Sequence, residues 1–251
     1  MRTNPARLAL RILAPILFWG GILYVAALIL DNHFLLPTPP AILKSLWSLL
    51  GTGAFWMAIL SSLGRVLVGL FAGILLGTLL GVSAFLLPAS GTIIRPFLTV
   101  VRSTPVASFV ILVWSFTGSS ILPLLIAALM VLPIVADELS TGLAKADPML
   151  GEVASLYRIS PWRRFLVYRL PSALPYFFGA VITSVGFAWK AGIAAEVLAA
   201  TAGSVGKEIY FSKLHLETEA LWAWTVTVVV LSLILEAIVK KTLRYIERRA
   251  T

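Results

Sequence analysis

Arg65, Lys190 and Glu196 stand inside long apolar stretches and are the first places to look for chemistry. An ionised side chain in a bilayer core costs at least about 2.5–3.5 kcal/mol, so each needs a partner, water or a protein interior to face. Lys190 and Glu196 are six positions apart, on different faces of a helix, and so do not form a pair within it. Two arrangements follow. Either Arg65 or Lys190 lends positive potential to a pathway for an anionic solute, or they pair with Glu196 or with a second copy of the chain to hold a helix bundle together. Pairing is preferred for Arg65; both stay open for Lys190.

The longest charge-rich interval, Asp137 to Pro175, lies between two long hydrophobic segments. Asp147-Pro148 is a helix start: the Asp side chain can accept from unpaired backbone N–H groups, and proline is tolerated at a first helical position that needs no donor. Ser160-Pro161 repeats the signal. The pattern predicts one helix from Pro148 to Ile159 and a second from Pro161 towards Arg169, joined as a knuckle, and the interval reads as a cytoplasmic docking loop.

Other chemistry is not supported. His33 and His215 stand alone near the expected external face, without cysteine or a carboxylate cluster to complete a metal site. Gly203-Ser204-Val205-Gly206-Lys207 resembles a phosphate loop, but Thr201 sits where its first glycine is required and Glu208 where the Mg²⁺-binding Ser or Thr belongs. No cofactor is expected in this chain, and no His-Glu-x-x-His or paired-carboxylate pattern points to an intramembrane enzyme.

The elements that carry these residues are membrane spans. At 251 residues, 59% of them hydrophobic and with a mean hydropathy of +0.97, the chain is not a soluble domain. Charge is absent from Ile12 to Leu30, Val66 to Ile94, Ser103 to Ala136 and Pro171 to Trp189, each able to supply the roughly 20 apolar residues that cross a bilayer. The net charge of +9 sits at loop ends and both termini, as topology rather than nucleic acid would place it. With no cysteine, disulfides and thiolate metal sites are excluded.

We expect an all-α, polytopic bundle of about six spans in a single domain, 1–251: about 9–30, 55–85, 96–116, 121–136, 174–200 and 219–239, with the docking loop at 137–173. Arg2, Arg7 and Arg11 before the first span favour a cytoplasmic N-terminus. That span resembles a signal peptide's start but is too long and lacks a small-residue cleavage site before Asp31. Lys145, Arg158, Arg163, Arg164 and Arg169 in the docking loop, and Lys240, Lys241, Arg244, Arg248 and Arg249 at the end, agree with a cytoplasmic loop and C-terminus. Residues 41–50, with Lys44, Ser45 and Ser48 on one face, form a short helix either at the outer interface or packed on the bundle. Gly69, Gly73, Gly77 and Gly81 recur every fourth residue and let a neighbouring helix approach closely, a packing role rather than a transport role.

The docking loop carries a family resemblance. Glu152-Val153-Ala154-Ser155-Leu156-Tyr157-Arg158-Ile159-Ser160, then Tyr168-Arg169-Leu170-Pro171, resembles the "EAA" loop of membrane-spanning permease subunits of bacterial ABC importers, the binding-protein-dependent inner membrane components. The spacing matches throughout. Val153 stands for the first Ala, Tyr168 for Ile, and Arg158 for a Gly whose left-handed turn arginine disfavours. Either the turn has moved to Ser160-Pro161, or Arg158 contacts the partner. Leu36-Pro37-Thr38-Pro39, Ser62-Leu63-Gly64-Arg65, Arg102-Ser103-Thr104-Pro105 and Ala195-Glu196 resemble the nitrate, sulfonate and taurine branch.

The resemblance implies a type I importer permease in a bacterial cytoplasmic membrane, paired with a second permease copy as a homodimer. It implies a cytoplasmic ABC ATPase dimer, which carries the ATP and Mg²⁺, and an extracytoplasmic substrate-binding protein. Glu152, Val153, Ala154, Tyr157, Arg158, Ser160, Leu170 and Pro171 would couple to the ATPase. The solute would be a small organic or inorganic nutrient, with anions among the candidates, such as a sulfonate, taurine or nitrate. A stand-alone secondary transporter, or a membrane scaffold, is the alternative; the former calls for repeated halves and an ion-coupling constellation, neither of which is evident.

Overall fold

Prolines and small polar residues mark where the helices begin. The computed structural model describes residues 5–32 and 35–250, with no strand among them. The elements are α1 (Pro5–Leu30), α2 (Pro39–Leu50), α3 (Gly53–Leu86), α4 (Pro88–Ser103), α5 (Val106–Trp114), α6 (Leu122–Ala144), α7 (Pro148–Leu156), α8 (Pro161–Arg164), a π-helical turn (Phe165–Arg169), α9 (Leu170–Leu198), α10 (Val205–Leu214) and α11 (Thr218–Ala250). Pro39, Pro88, Pro148 and Pro161 each occupy a first turn, where a missing N–H costs nothing. Arg2 and His33 lie outside the described residues, as do the side chains of Arg7, Arg11, Arg248 and Arg249.

Helix α6 is the centre, packed between α3 and α9. The α3 side is a glycine contact: a Cβ on Gly73 or Gly77 would fall 2.7 Å from Val131 Cβ or Leu132 O, and one on Gly81 2.6 Å from Ala136 O. No side chain fits in that gap. Because Gly69 meets Leu124 and Gly81 meets Ala136, α3 and α6 run in the same direction. The main core joins α3, α6, α9 and α11 through Phe55, Val66, Val131, Val185, Trp189 and Trp224. Trp189 donates its indole N–H to Val228 O at 3.0 Å, which removes the cost of burying that group.

Four helices are long and apolar enough to cross a membrane: α3, α6, Pro161–Leu198 and Thr218–Ile246. A further span expected over 96–116 is two helices, bent by 102° between Ser103 and Val106. Pro105 causes the break: it has no N–H to continue the ladder, and it holds Thr104 in an extended conformation (φ −80°, ψ 129°). Since α3 and α6 are parallel, α4 and α5 together must return the chain between them. Within α1 the apolar stretch among described residues is Leu17–Leu30.

Several elements outrun their expected bounds. Helix α6 continues past 136 to Ala144, taking Asp137 and Glu138 with it. The second knuckle helix does not stop before the next span; Pro161–Leu198 is one 38-residue helix. Pro171 is accommodated because the preceding turn widens, with Leu170 N–H reaching Phe165 O five residues back. Helix α2 packs on α11 and α3, not on lipid alone. Between 201 and 218 the chain forms α10, started by Ser204, whose hydroxyl accepts from Lys207 N–H at 3.0 Å.

Candidate functional site

The knuckle is built by caps. Asp147 accepts from Met149 N–H at 2.9 Å and opens α7. At the other end Arg158 N–H reaches Ser155 O and Ile159 N–H reaches Ala154 O, both at 3.0 Å, the hydrogen-bond pair of a left-handed helix cap. Arg158 itself takes that conformation, with φ +48°. The turn has not moved to Ser160-Pro161, as one expectation had it: the glycine-like geometry persists without glycine. Arg164, which sequence reading treated only as a topological charge, fastens the two arms. Its Nε donates to Ile159 O at 2.7 Å and its Nη1 to Ser155 Oγ at 3.0 Å.

The knuckle has two faces. Ala154 is buried and Gly151 lies against the Tyr168 hydroxyl. Opposite them, Met149, Val153, Leu156 and Tyr157 are exposed, Leu156 to 81% and Tyr157 to 78%, with Glu152 beside them. Arg158 and Arg163, close to this face in sequence, are exposed as well. Ser160 begins α8 without a side-chain cap, Leu170 packs with Leu139, Leu143, Phe165 and Ala173, and Pro171 is exposed.

At the opposite end of α9, Glu196 is wholly buried. Ser62 Oγ donates to its Oε2 at 2.7 Å, Gly206 N–H to the same oxygen at 3.2 Å, and Arg65 Nη1 approaches Oε1 at 3.4 Å. Arg65 Nη2 also donates to Ala202 O at 3.0 Å, and Val205 N–H donates to Ser62 Oγ at 3.0 Å. The carboxylate thus fills the N-terminus of α10, where free N–H groups favour an anion. The Gly203–Lys207 turn that resembles a phosphate loop is occupied by the protein's own acid. Lys190 is not in this cluster; it is exposed on α9 and forms no ion pair among the described residues.

A third group, unremarked as a set in the sequence, lies at the α4–α5 break. Arg102 on α4 is ion-paired with Asp137 on α6. They line a cleft of about 390 Å³ with Thr104, Met130, Glu138 and Thr183. A second cleft of about 510 Å³ shares Ile134, Glu138 and Thr183 and continues to Tyr176 and Gly179. A furrow between α6 and α9 therefore leads from the break towards the knuckle end. No group of three His, Asp or Glu among the described residues could hold a metal ion.

Long apolar helices, parallel in the α3–α6 pair and antiparallel between α6 and α9, with a capped knuckle at one end and charged clefts along one face, are the marks of a membrane-embedded subunit. The chain belongs to the family of binding-protein-dependent transport system inner membrane components, which it matches over residues 69–250. Its relatives are permease subunits of ABC importers. It is 26% identical to the taurine transport system permease protein TauC of Escherichia coli, over 90% of this chain and 83% of that protein. It is 34% identical to the nitrate import permease protein NrtB of Synechococcus elongatus, over 59% of this chain and 53% of that one. It is 26% identical to the aliphatic sulfonates permease protein SsuC of Bacillus subtilis, described as putative, over 88% and 78%. Among solved structures, a chain of an amino acid ABC transporter superposes with a TM-score of 0.63 at 14% identity, covering 78% of this chain and 93% of that one. A chain of the MetNI methionine transporter superposes with a TM-score of 0.62 at 17% identity, covering 79% and 96%. These two share the type I importer fold.

Proposed function

We propose that this permease forms the solute pathway of an ATP-driven importer and is driven through its 147–171 knuckle by a separate ABC ATPase dimer. The observation that carries the reading is the exposed Met149-Val153-Leu156-Tyr157 face, with exposed Glu152 beside it, on a knuckle fastened by Asp147 and Arg164. Burying a side chain of this size on a partner is worth about 1.5–3 kcal/mol, and Glu152 at its edge supplies a charge for register. Ala154 is buried inside the knuckle and Leu170 packs at its base, while the left-handed Arg158 and the helix start at Ser160 set its turn and Pro171 follows its second arm.

In this reading the knuckle end and both termini are cytoplasmic, and a binding protein docks at the α10 end. Two permease copies enclose the pathway, with the furrow and Lys190 on its wall. ATP and Mg²⁺ act on the ATPase alone. Closure of the ATPase dimer moves the seated knuckles, and the pathway follows because its two states hold the knuckle differently. The solute is a small nutrient of the kind the relatives are named for, a taurine, sulfonate or nitrate.

The test is co-purification. The tagged chain, extracted from its native membrane in mild detergent, should bring an ABC ATPase and a binding protein with it. Leu156→Asp combined with Glu152→Ala should remove the ATPase and leave membrane insertion intact. A partner-free oligomer from the unaltered chain, or an ATPase retained by the double variant, would overturn the reading.

A further inference from the structure

We propose that the cleft at the α4–α5 break recognises a small zwitterion, with Arg102 taking its oxyanion and Glu138 its ammonium. This rests on the importer reading above and narrows it to one class of solute. The cleft holds one guanidinium against two carboxylates, Asp137 and Glu138. Asp137 is committed to Arg102, whereas Glu138 is exposed and forms no ion pair among the described residues. A plain anion arriving at Arg102 would meet that unpaired carboxylate and be repelled. A solute with an ammonium at its far end would neutralise it instead.

The guanidinium is the accessible partner of the pair. The Arg102 side chain is 57% exposed against 37% for Asp137, so an incoming oxyanion can meet its fork without first breaking into a closed core. The hydroxyls nearby point the same way. Thr104 donates its proton to Val100 O at 2.7 Å and Thr183 to Gly179 O at 3.0 Å, which leaves oxygen lone pairs as acceptors in the cleft. The C-terminal carbonyls of α4, cut off by Pro105, add further acceptors and the negative end of a helix dipole. Acceptors in excess suit an ammonium, and a cleft of about 390 Å³ leaves room for a small solute with water around it.

The chain has no cysteine, so Phe187→Cys, exposed on the cleft wall and apart from the polar groups invoked, provides a single reporter. In the complex with its ATPase in lipid nanodiscs, the rate of maleimide labelling of this chain is measured with taurine, ethanesulfonate, ethylamine or nitrate. Taurine should protect at about tenfold lower concentration than ethanesulfonate or ethylamine. Adding Glu138→Gln should erase the advantage over ethanesulfonate. Arg102→Gln should weaken protection by both, and Arg102→Lys, which keeps a charge to hold Asp137, should restore part of it. Equal protection by taurine and ethanesulfonate, an advantage that survives Glu138→Gln, or no protection by any probe in an assembled complex would overturn the assignment and leave the importer reading standing. Failure of the ATPase to assemble would remove both.

Discussion

Arg158 holds a left-handed backbone conformation, φ +48°, in a cap whose hydrogen bonds leave it no other choice. The strain is worth about 1–2 kcal/mol, partly offset in any glycine replacement by the greater freedom of the unfolded chain. Arg158→Gly should therefore stabilise the protein by about 0.5–1 kcal/mol, seen as a higher denaturation midpoint in detergent and slower amide exchange over 155–160. An unchanged midpoint would mean that the arginine side chain offsets its own strain. The departure from glycine was legible in sequence; its outcome was not, because the three-dimensional cap outweighs a single residue's preference. Ser62 and Arg65 could have been read together, being three apart on one helix face, but nothing local joins them to Glu196. Arg102 and Asp137 were hidden for the same reason, each lying near a segment end where a charge already had a topological explanation.

Among the elements, α10 depends most on one distant group. It is short, has two hydrogen bonds at its start that lead to Ser62 and Glu196, and follows the tight turn at Gly203 (φ +63°). Glu196→Ala would leave Arg65 with one partner and strand the buried donors of Ser62 and Gly206, a loss of about 1–3 kcal/mol. The expected result is proteolytic cleavage within 201–214 under conditions that spare the parent, with the knuckle untouched. Resistance equal to the parent's would show that packing alone fixes α10. The glycine repeat of α3 was readable as a close-contact face because its period matches the helix. Its partner was not, since periodicity states that a neighbour exists and not which one. The α4–α5 break was present in Thr104-Pro105, yet the uninterrupted apolarity around it concealed the bend.

At the scale of the molecule, hydropathy carried most of the architecture, because a bilayer leaves a backbone little option but helices. What it missed is where helices continue through charge: α6 past Asp137, and the knuckle arm straight into α9. That second continuity has a mechanical consequence. A 38-residue helix is a rod of about 57 Å with one tip in the knuckle and the other at Glu196. A tilt of about 10° imposed at the knuckle would sweep the far tip through about 10 Å if the rod pivots there and stays straight. The winding loosens at the π turn Phe165–Arg169, and Pro175 removes a ladder bond one turn further on, so the stiffness of this stretch sets how much of a push at one surface becomes a stroke at the other.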